Sequence, residues 1–198
     1  MGHTQAQKAE NRERIVAATA RRIREQGLER PAIAELMREV GLTHGGFYKQ
    51  FGSRDELMGE AVERVMAETR TRMEGVVDGT DDPLAAVARA YVSAEHRDDV
   101  GGGCGLPALS AEVTHADTRA RDAYRAQVEA YVAGLATLDD TSRDLAMVRV
   151  SAMVGAILIS RALQGTPESD AFLDAVQDAF VSSDGVLRGT APDGTRVG

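Results

Sequence analysis

The chain has 198 residues, 43% of them apolar, with 23 basic and 31 acidic side chains and a net charge of −8. That length suits one domain, or a small module joined to a larger one, with enough apolar residues to bury a core, and it excludes a disordered acidic solvating segment. A total this acidic points away from a nucleic-acid partner, an expectation that the placement of the charges reverses. The single cysteine, Cys104, excludes an internal disulfide and a multi-cysteine zinc site and fits a reducing compartment. Met1 to Glu13 holds no apolar run, so no secretory signal is expected. The apolar run Val150–Ser160 lies between Arg149 and Arg161, short of the roughly 20 residues that a bilayer span requires. A cytoplasmic chain with no membrane partner is the expectation.

Strand periodicity is nearly absent, and the elements read as helices throughout. Ile15, Ala18, Thr19 and Ile23 mark a first helix that Gly27 should stop. Ile33, Leu36, Met37 and Val40 make a short second helix behind Pro31, broken by Gly41. A third short helix begins near Thr43 and buries Phe47 and Phe51. Ser53-Arg-Asp-Glu56 reads as a capping box that opens a fourth helix with Leu57, Ala61 and Val65 on one stripe. Asp78 to Pro83 is a linker with Pro83 suited to a first helical position. Leu84, Val87, Ala88, Tyr91 and Val92 follow at helical spacing, and the run Gly101–Gly105 interrupts. A helix near Leu109–His115 is expected next, then one carrying Tyr124, Val128, Tyr131 and Leu135. Thr141 and Asp144 resemble a second capping box. The helix behind it is apolar on two faces: Leu145, Val148, Ala152 and Ile159 on one, Val150, Val154 and Ile157 on the other. Thr166-Pro167 starts the last helix, with Phe172, Val176 and Phe180, and a polar, Gly-rich tail after Ser182 should fray.

Charge marks a boundary. Residues 1–54 hold 10 basic and 6 acidic side chains, a net +4, while residues 55–198 hold 13 basic and 25 acidic, a net −12. Within the basic part, Ala32 to Phe51 reads as helix, glycine turn, helix, the spacing of a helix-turn-helix. Its apolar positions suit packing on the first helix. Its second helix begins Thr43-His44-Gly45-Gly46 and continues with Tyr48, Lys49 and Gln50, polar and slim enough for a major groove about 12 Å wide. Each glycine costs a helix about 1 kcal/mol relative to alanine. That cost makes sense if the backbone approaches a base-pair edge; the alternative is a frayed helix start. Tyr48 sits about 100° around the helix from Phe47, which favours an outer position over a partly buried ring.

This segment resembles the tetracycline-repressor (TetR) family of transcriptional regulators. The resemblance rests on Ala32-Ile-Ala-Glu-Leu-Met-Arg-Glu-Val-Gly-Leu-Thr43, Gly46-Phe-Tyr-Lys-Gln-Phe51 and Arg54-Asp-Glu-Leu57, about a quarter of the chain. It implies an all-α protein of about nine helices. Residues 1–54 would be a three-helix helix-turn-helix DNA-binding domain, with a connecting fourth helix at 54–75. Residues 76–198 would be a helical ligand-binding and dimerisation domain. It further implies that Thr43 caps the helix and contacts phosphate, that His44, Gly45 and Lys49 face bases, and that Tyr48 and Arg54 bind phosphate; Gly46 and Gln50 complete the interface. Gln50 stands where histidine is common, and Ala32 where threonine or serine would cap. Arg22 and Arg24 read as a solvated charged face, with DNA-backbone contact the other option.

The resemblance also implies operator DNA and a small-molecule effector as partners, with a homodimer through the last two helices. The two-faced apolar helix independently supports the homodimer. The function so implied is a repressor released from a palindromic operator by its effector. Tyr91, Cys104, Tyr124, Met147 and Met153 are candidate ligand contacts, with plain core the alternative for each. Gly103-Cys-Gly-Leu-Pro107 resembles a subgroup in which the cysteine of some members senses electrophiles or oxidants; a small buried residue is the favoured reading for Cys104. His96 and His115 read as surface or helix-end residues. His3, His44, His96 and His115 show no metal-ligand spacing, Ser110 lacks a nucleophile elbow, and the Gly101–Gly105 run lacks the Lys-Ser/Thr ending of a phosphate loop. No catalytic residue, metal or cofactor is expected. The rival to a regulator is an architectural DNA binder, against which a large acidic, all-helical region, 144 residues outside the motif, argues.

Overall fold

The computed structural model describes residues 5–29, 31–182 and 184–188; His3 and the end of the Gly-rich tail lie outside the described residues. Nine α-helices occur among them, with no strand: α1 (Gln5–Gln26), α2 (Ile33–Glu39), α3 (Arg54–Val76), α4 (Pro83–Tyr91), α5 (Ala94–Asp98), α6 (Gly105–Leu109), α7 (Thr118–Leu138), α8 (Arg143–Ala162) and α9 (Pro167–Val181). Two 3-10 helices, His44–Lys49 and Val113–His115, complete the set. The chain forms two compact units, Met1–Glu68 with Cys104–Arg125, and Thr69–Gly103 with Ala126–Gly198. The division falls inside α3 and α7.

In the first unit, α1 packs against α2 and α6 around buried Ile15, Ile23, Leu36, Met37 and Leu57. Gly27 ends α1 with φ +85°, its N–H bonded to Ile23 O at 2.9 Å. Gly105 lies where a Cβ would come within 2.3 Å of Val65 Cγ1, so the glycine is required by the close packing of α6 on α3. Burial works against the Glu68 carboxylate, but Arg24 at 2.6 Å and Arg64 at 2.7 Å outweigh it and hold its pKa below the ordinary value. Arg24 is thus a buried structural cation, and Arg22 pairs with Glu39 at 2.9 Å. The burial of Arg24 corrects the expectation that it belongs to a solvated face; Arg22 keeps to the surface in its pair with Glu39.

In the second unit, α9 packs on α8 and α4, and α5 packs on α8. The Asp82 carboxylate caps α4 at Ala85 N, with Pro83 in its first turn. The cap of α8 is Ser142, which accepts from Leu145 N at 3.2 Å, one residue after the expected Thr141. The helix expected near Leu109–His115 is instead α6 followed by the 3-10 helix Val113–His115. Helix α8 is long and apolar enough by length and composition to cross a membrane, contrary to the shorter run read from the sequence. Arg149, in its second turn, is nevertheless fully buried within the unit, bound by both guanidinium Nη atoms to Asp139 at 2.8 and 2.6 Å.

Candidate nucleic-acid interface and apolar cavity

Helix α2 ends in a Schellman turn. Gly41 takes φ +70°, its N–H bonds to Arg38 O at 3.0 Å, and Leu42 N bonds to Met37 O at 2.8 Å. Glycine is the residue that adopts this backbone without strain. The following segment, His44–Lys49, is a 3-10 helix rather than the expected α-helix. Two consecutive glycines in a six-residue element lower its α-helical propensity, and Gly46 N bonds to Thr43 O three residues back at 2.8 Å. Phe47 and Phe51 stack at 5.6 Å and are buried.

The opposite face is open. Thr43, His44, Gly45, Tyr48 and Lys49 are exposed, and Gly46, Gln50 and Arg54 are intermediate. Tyr48 is 69% exposed, its ring edge-on to Phe47 at 5.1 Å and to His44 at 6.2 Å. Thr43 occupies the N-cap position, but its hydroxyl makes no capping bond, and neither could the side chain of Ala32 at the start of α2. A Cβ on Gly45 would meet nothing within 4 Å, and one on Gly46 would make ordinary contacts with Met37 and Thr43 at 3.5 and 3.6 Å. Neither glycine is demanded by packing within the chain. Arg54 faces partly inward: its Nη2 donates to Leu28 O at 2.6 Å and Glu29 O at 3.1 Å. The Gln50 Oε1 is buried with no hydrogen-bond partner among the described residues.

Sequence reasoning missed what holds this element. The Arg12 guanidinium lies over the Phe51 ring at 4.1 Å and donates to Gln50 O, to Glu56 at 2.8 Å and to Glu60. Partial burial disfavours its charge, but Glu56 and Glu60 outweigh that and raise its pKa above the ordinary value. Arg14 donates to Val40 O at the end of α2 at 2.6 Å. The expected capping box is half made: Ser53 Oγ accepts from Glu56 N at 3.0 Å, while Glu56 reaches Gly52 N at 2.7 Å. Several basic residues of the N-terminal region are therefore committed internally. Arg38 and Lys49 are exposed and enter no ion pair among the described residues.

The second unit contains a cavity of about 360 Å³. Helix α7 lines it with Gln127, Ala130, Tyr131, Gly134 and Leu138 at helical spacing, and Tyr91, Val150 and Met153 close the other sides. Tyr91 and Tyr131 meet edge to face at 6.3 Å. Gln127 is fully buried, and neither atom of its amide has a hydrogen-bond partner among the described residues. Its signal in the sequence was a polar side chain four residues before Tyr131, inside an apolar stripe. Of the sequence candidates, Tyr91 and Met153 line this cavity. Met147 is exposed on α8. Cys104 and Tyr124 belong to the first unit, where Cys104 is buried and the Tyr124 hydroxyl donates to Leu106 O at 3.1 Å.

Of the two positions expected from the sequence, surface or helix end, His96 takes the second: it lies in the last turn of α5, partly buried, edge-on to Tyr91 at 4.6 Å with Nδ1 2.7 Å from Tyr91 O. Burial lowers its pKa, aided by Arg161 and Arg72 and opposed by the Tyr91 carbonyl and Asp99. The unfolded chain therefore takes up this proton at higher pH than the folded one, and stability declines as pH falls below the ordinary histidine value of about 6.5. Thermal melts should show a lower midpoint at pH 5.5 than at pH 7.5, with a smaller drop in His96→Asn; an equal drop removes His96 as the cause.

Residues 15–61 match the family described as bacterial regulatory proteins, tetR family. An uncharacterized HTH-type transcriptional regulator of Mycobacterium tuberculosis is 29% identical over 163 residues, 76% of this chain and 84% of that protein. Another such regulator, YvdT of Bacillus subtilis, is 29% identical over 70 residues, 35% of this chain and 36% of that protein's length. A TetR transcriptional regulator from Chloroflexus aurantiacus has the same fold, with a TM-score of 0.78 at 21% identity over 90% of this chain and 98% of that one. The reduced form of NemR from E. coli superposes with a TM-score of 0.72 at 19% identity, covering 85% and 96%. Fold and motif together define a helix-turn-helix transcriptional regulator, not an enzyme. Over residues 15–61 the chain is similar to the tetR family of bacterial regulatory proteins, and it shares the fold of solved TetR regulators.

Proposed function

We propose that the protein is a cytoplasmic repressor that binds a palindromic operator as a homodimer and is released by a small molecule held in residues 76–198. The observation that carries this reading is the pairing of an open helix-turn-helix face in one unit with a largely apolar cavity in the other. Thr43, His44, Gly45, Gly46, Tyr48, Lys49, Gln50 and Arg54 form the DNA interface. The exposed Thr43 and Tyr48 hydroxyls serve phosphates, and Lys49 reaches bases or backbone in the major groove. Tyr91 and Met153 contact the effector. Exposed Met147, Val148, Leu158 and Ile159 on α8 and Phe172 on α9 supply the apolar surface for a two-fold partner. Phe180 is fully buried within the chain and contributes nothing to that surface.

The effector acts only by its differential affinity for DNA-competent and DNA-incompetent states. Selection of bound fragments from random DNA, followed by operator titrations with candidate effectors and by sedimentation, tests all three elements. A recovered palindrome, a dimer in solution and effector-dependent release are expected; a monomer, or an affinity that no small molecule changes, overturns the reading.

The two glycines provide a finer test. Gly45→Ala should leave stability unchanged or raise it by up to about 1 kcal/mol, because its Cβ meets nothing. It should weaken operator binding about tenfold if the backbone approaches a base edge, a loss on the order of one base contact. Unaltered binding assigns Gly45 no role at the interface.

A further inference from the structure

We infer that the molecule this cavity is built for is neutral, largely apolar and flat, and presents a paired hydrogen-bond donor and acceptor, as a carboxamide or lactam does, to Gln127. The inference rests on the reading of this cavity as the effector site. Buried polar groups in proteins are nearly always paired, yet Gln127 is fully buried with neither Nε2 nor Oε1 bonded among the described residues, and it lines the cavity. Its amide offers a donor and an acceptor side by side. A ligand amide edge satisfies both. A carboxylate satisfies Nε2 and sets a negative charge against Oε1, and an ammonium group does the reverse.

The walls exclude charge for a second reason. Among the described side chains no Asp or Glu lines the cavity, and the one charged residue among them that does is the exposed Arg70. A cation entering would lose its hydration without a counter-charge. An anion could reach Arg70, but ion pairs at exposed side chains gain little, and Oε1 would stay unmatched. The body of the ligand follows from the remaining surface. Tyr91 and Tyr131, held edge to face with an interplanar angle of 80°, together with Leu138 and Met153, favour an aromatic ring system. The volume, about 360 Å³, lies at the small end of ligand sites, which span about 300–1,000 Å³.

Titration calorimetry on the full chain with four probes of one shape tests this: 2-naphthamide, 2-acetonaphthone, 2-naphthoate and 2-naphthylmethylammonium. The amide should bind about tenfold or more tighter than the ketone, which lacks the N–H, and both ions should bind more weakly than the ketone. Gln127→Leu should bring the amide down to the ketone's affinity without lowering the melting temperature, because the amide it removes has no partner among the described residues. Gly134→Leu, whose Cβ meets nothing within 4 Å, should weaken every probe and so locate them in the cavity. Equal affinity of amide and ketone, tighter binding of either ion, or a Gln127→Leu variant that melts well below the parent overturns the donor–acceptor inference and leaves the cavity reading standing. Binding by none of the probes overturns the cavity reading, and the inference with it.

Discussion

Replacing Arg149 with leucine should destabilise the protein by about 3 kcal/mol, since removing one partner of a buried ion pair strands the other. Arg149 is 0% exposed. Besides the two bonds to Asp139, its Nε donates to Leu187 O at 2.8 Å and its Nη1 to Leu135 O at 3.4 Å. One guanidinium thus joins α8 to the end of α7, to the turn after it and to the segment beyond α9. Leucine fills part of the volume but leaves a partly buried carboxylate and two carbonyls without their donor. Denaturant melts of the variant should shift the transition to lower denaturant while the m-value stays constant. Asp139→Asn should cost less, because asparagine retains an acceptor for the buried cation. If Arg149→Leu melts at the wild-type midpoint, the pair is dispensable and the apolar replacement packs as well, as happens in some proteins.

The second large effect concerns DNA. Lys49→Ala and Tyr48→Phe should each weaken operator binding about tenfold, and the pair about a hundredfold, at the scale of one to two groove or phosphate contacts each. Both side chains are exposed and outside the core, so neither variant should change the melting temperature or the oligomeric state. If Lys49 contacts a phosphate, its removal should also reduce the slope of log affinity against log salt by about one. Wild-type affinity in both variants would remove them from the interface.

Much of the head was legible because its information is local. The spacing of Leu36, Met37, Val40, Phe47 and Phe51 and the glycine at position 41 fix a turn within 20 residues. The 3-10 character of His44–Lys49 was not legible: periodicity reports which face is apolar, and the same two phenylalanines suit either helix. Helix α5, Ala94–Asp98, was missed because its five residues include no apolar stripe, only Ser93 capping His96 N at 3.1 Å. The cavity was hardest to read. Its walls come from residues as far apart as Arg70 and Val154, and stripes of Tyr and Met look alike in sequence whether they border a void or a packed core. Tyr91 and Tyr124 carried the same signal, yet Tyr91 borders the cavity and Tyr124 does not.

The Arg12 anchor bears on how such a regulator acquires a new operator. It grips Gln50 O, Glu56, Glu60 and the Phe51 ring, all behind the recognition element. The solvent-facing residues Thr43, His44, Gly45, Tyr48 and Lys49 take no part in that grip. On the proposed DNA contacts, substitutions at those five positions leave the Arg12 support in place while changing which sequence is read. Evolution or a designer can rewrite the letters without resetting the frame that holds them.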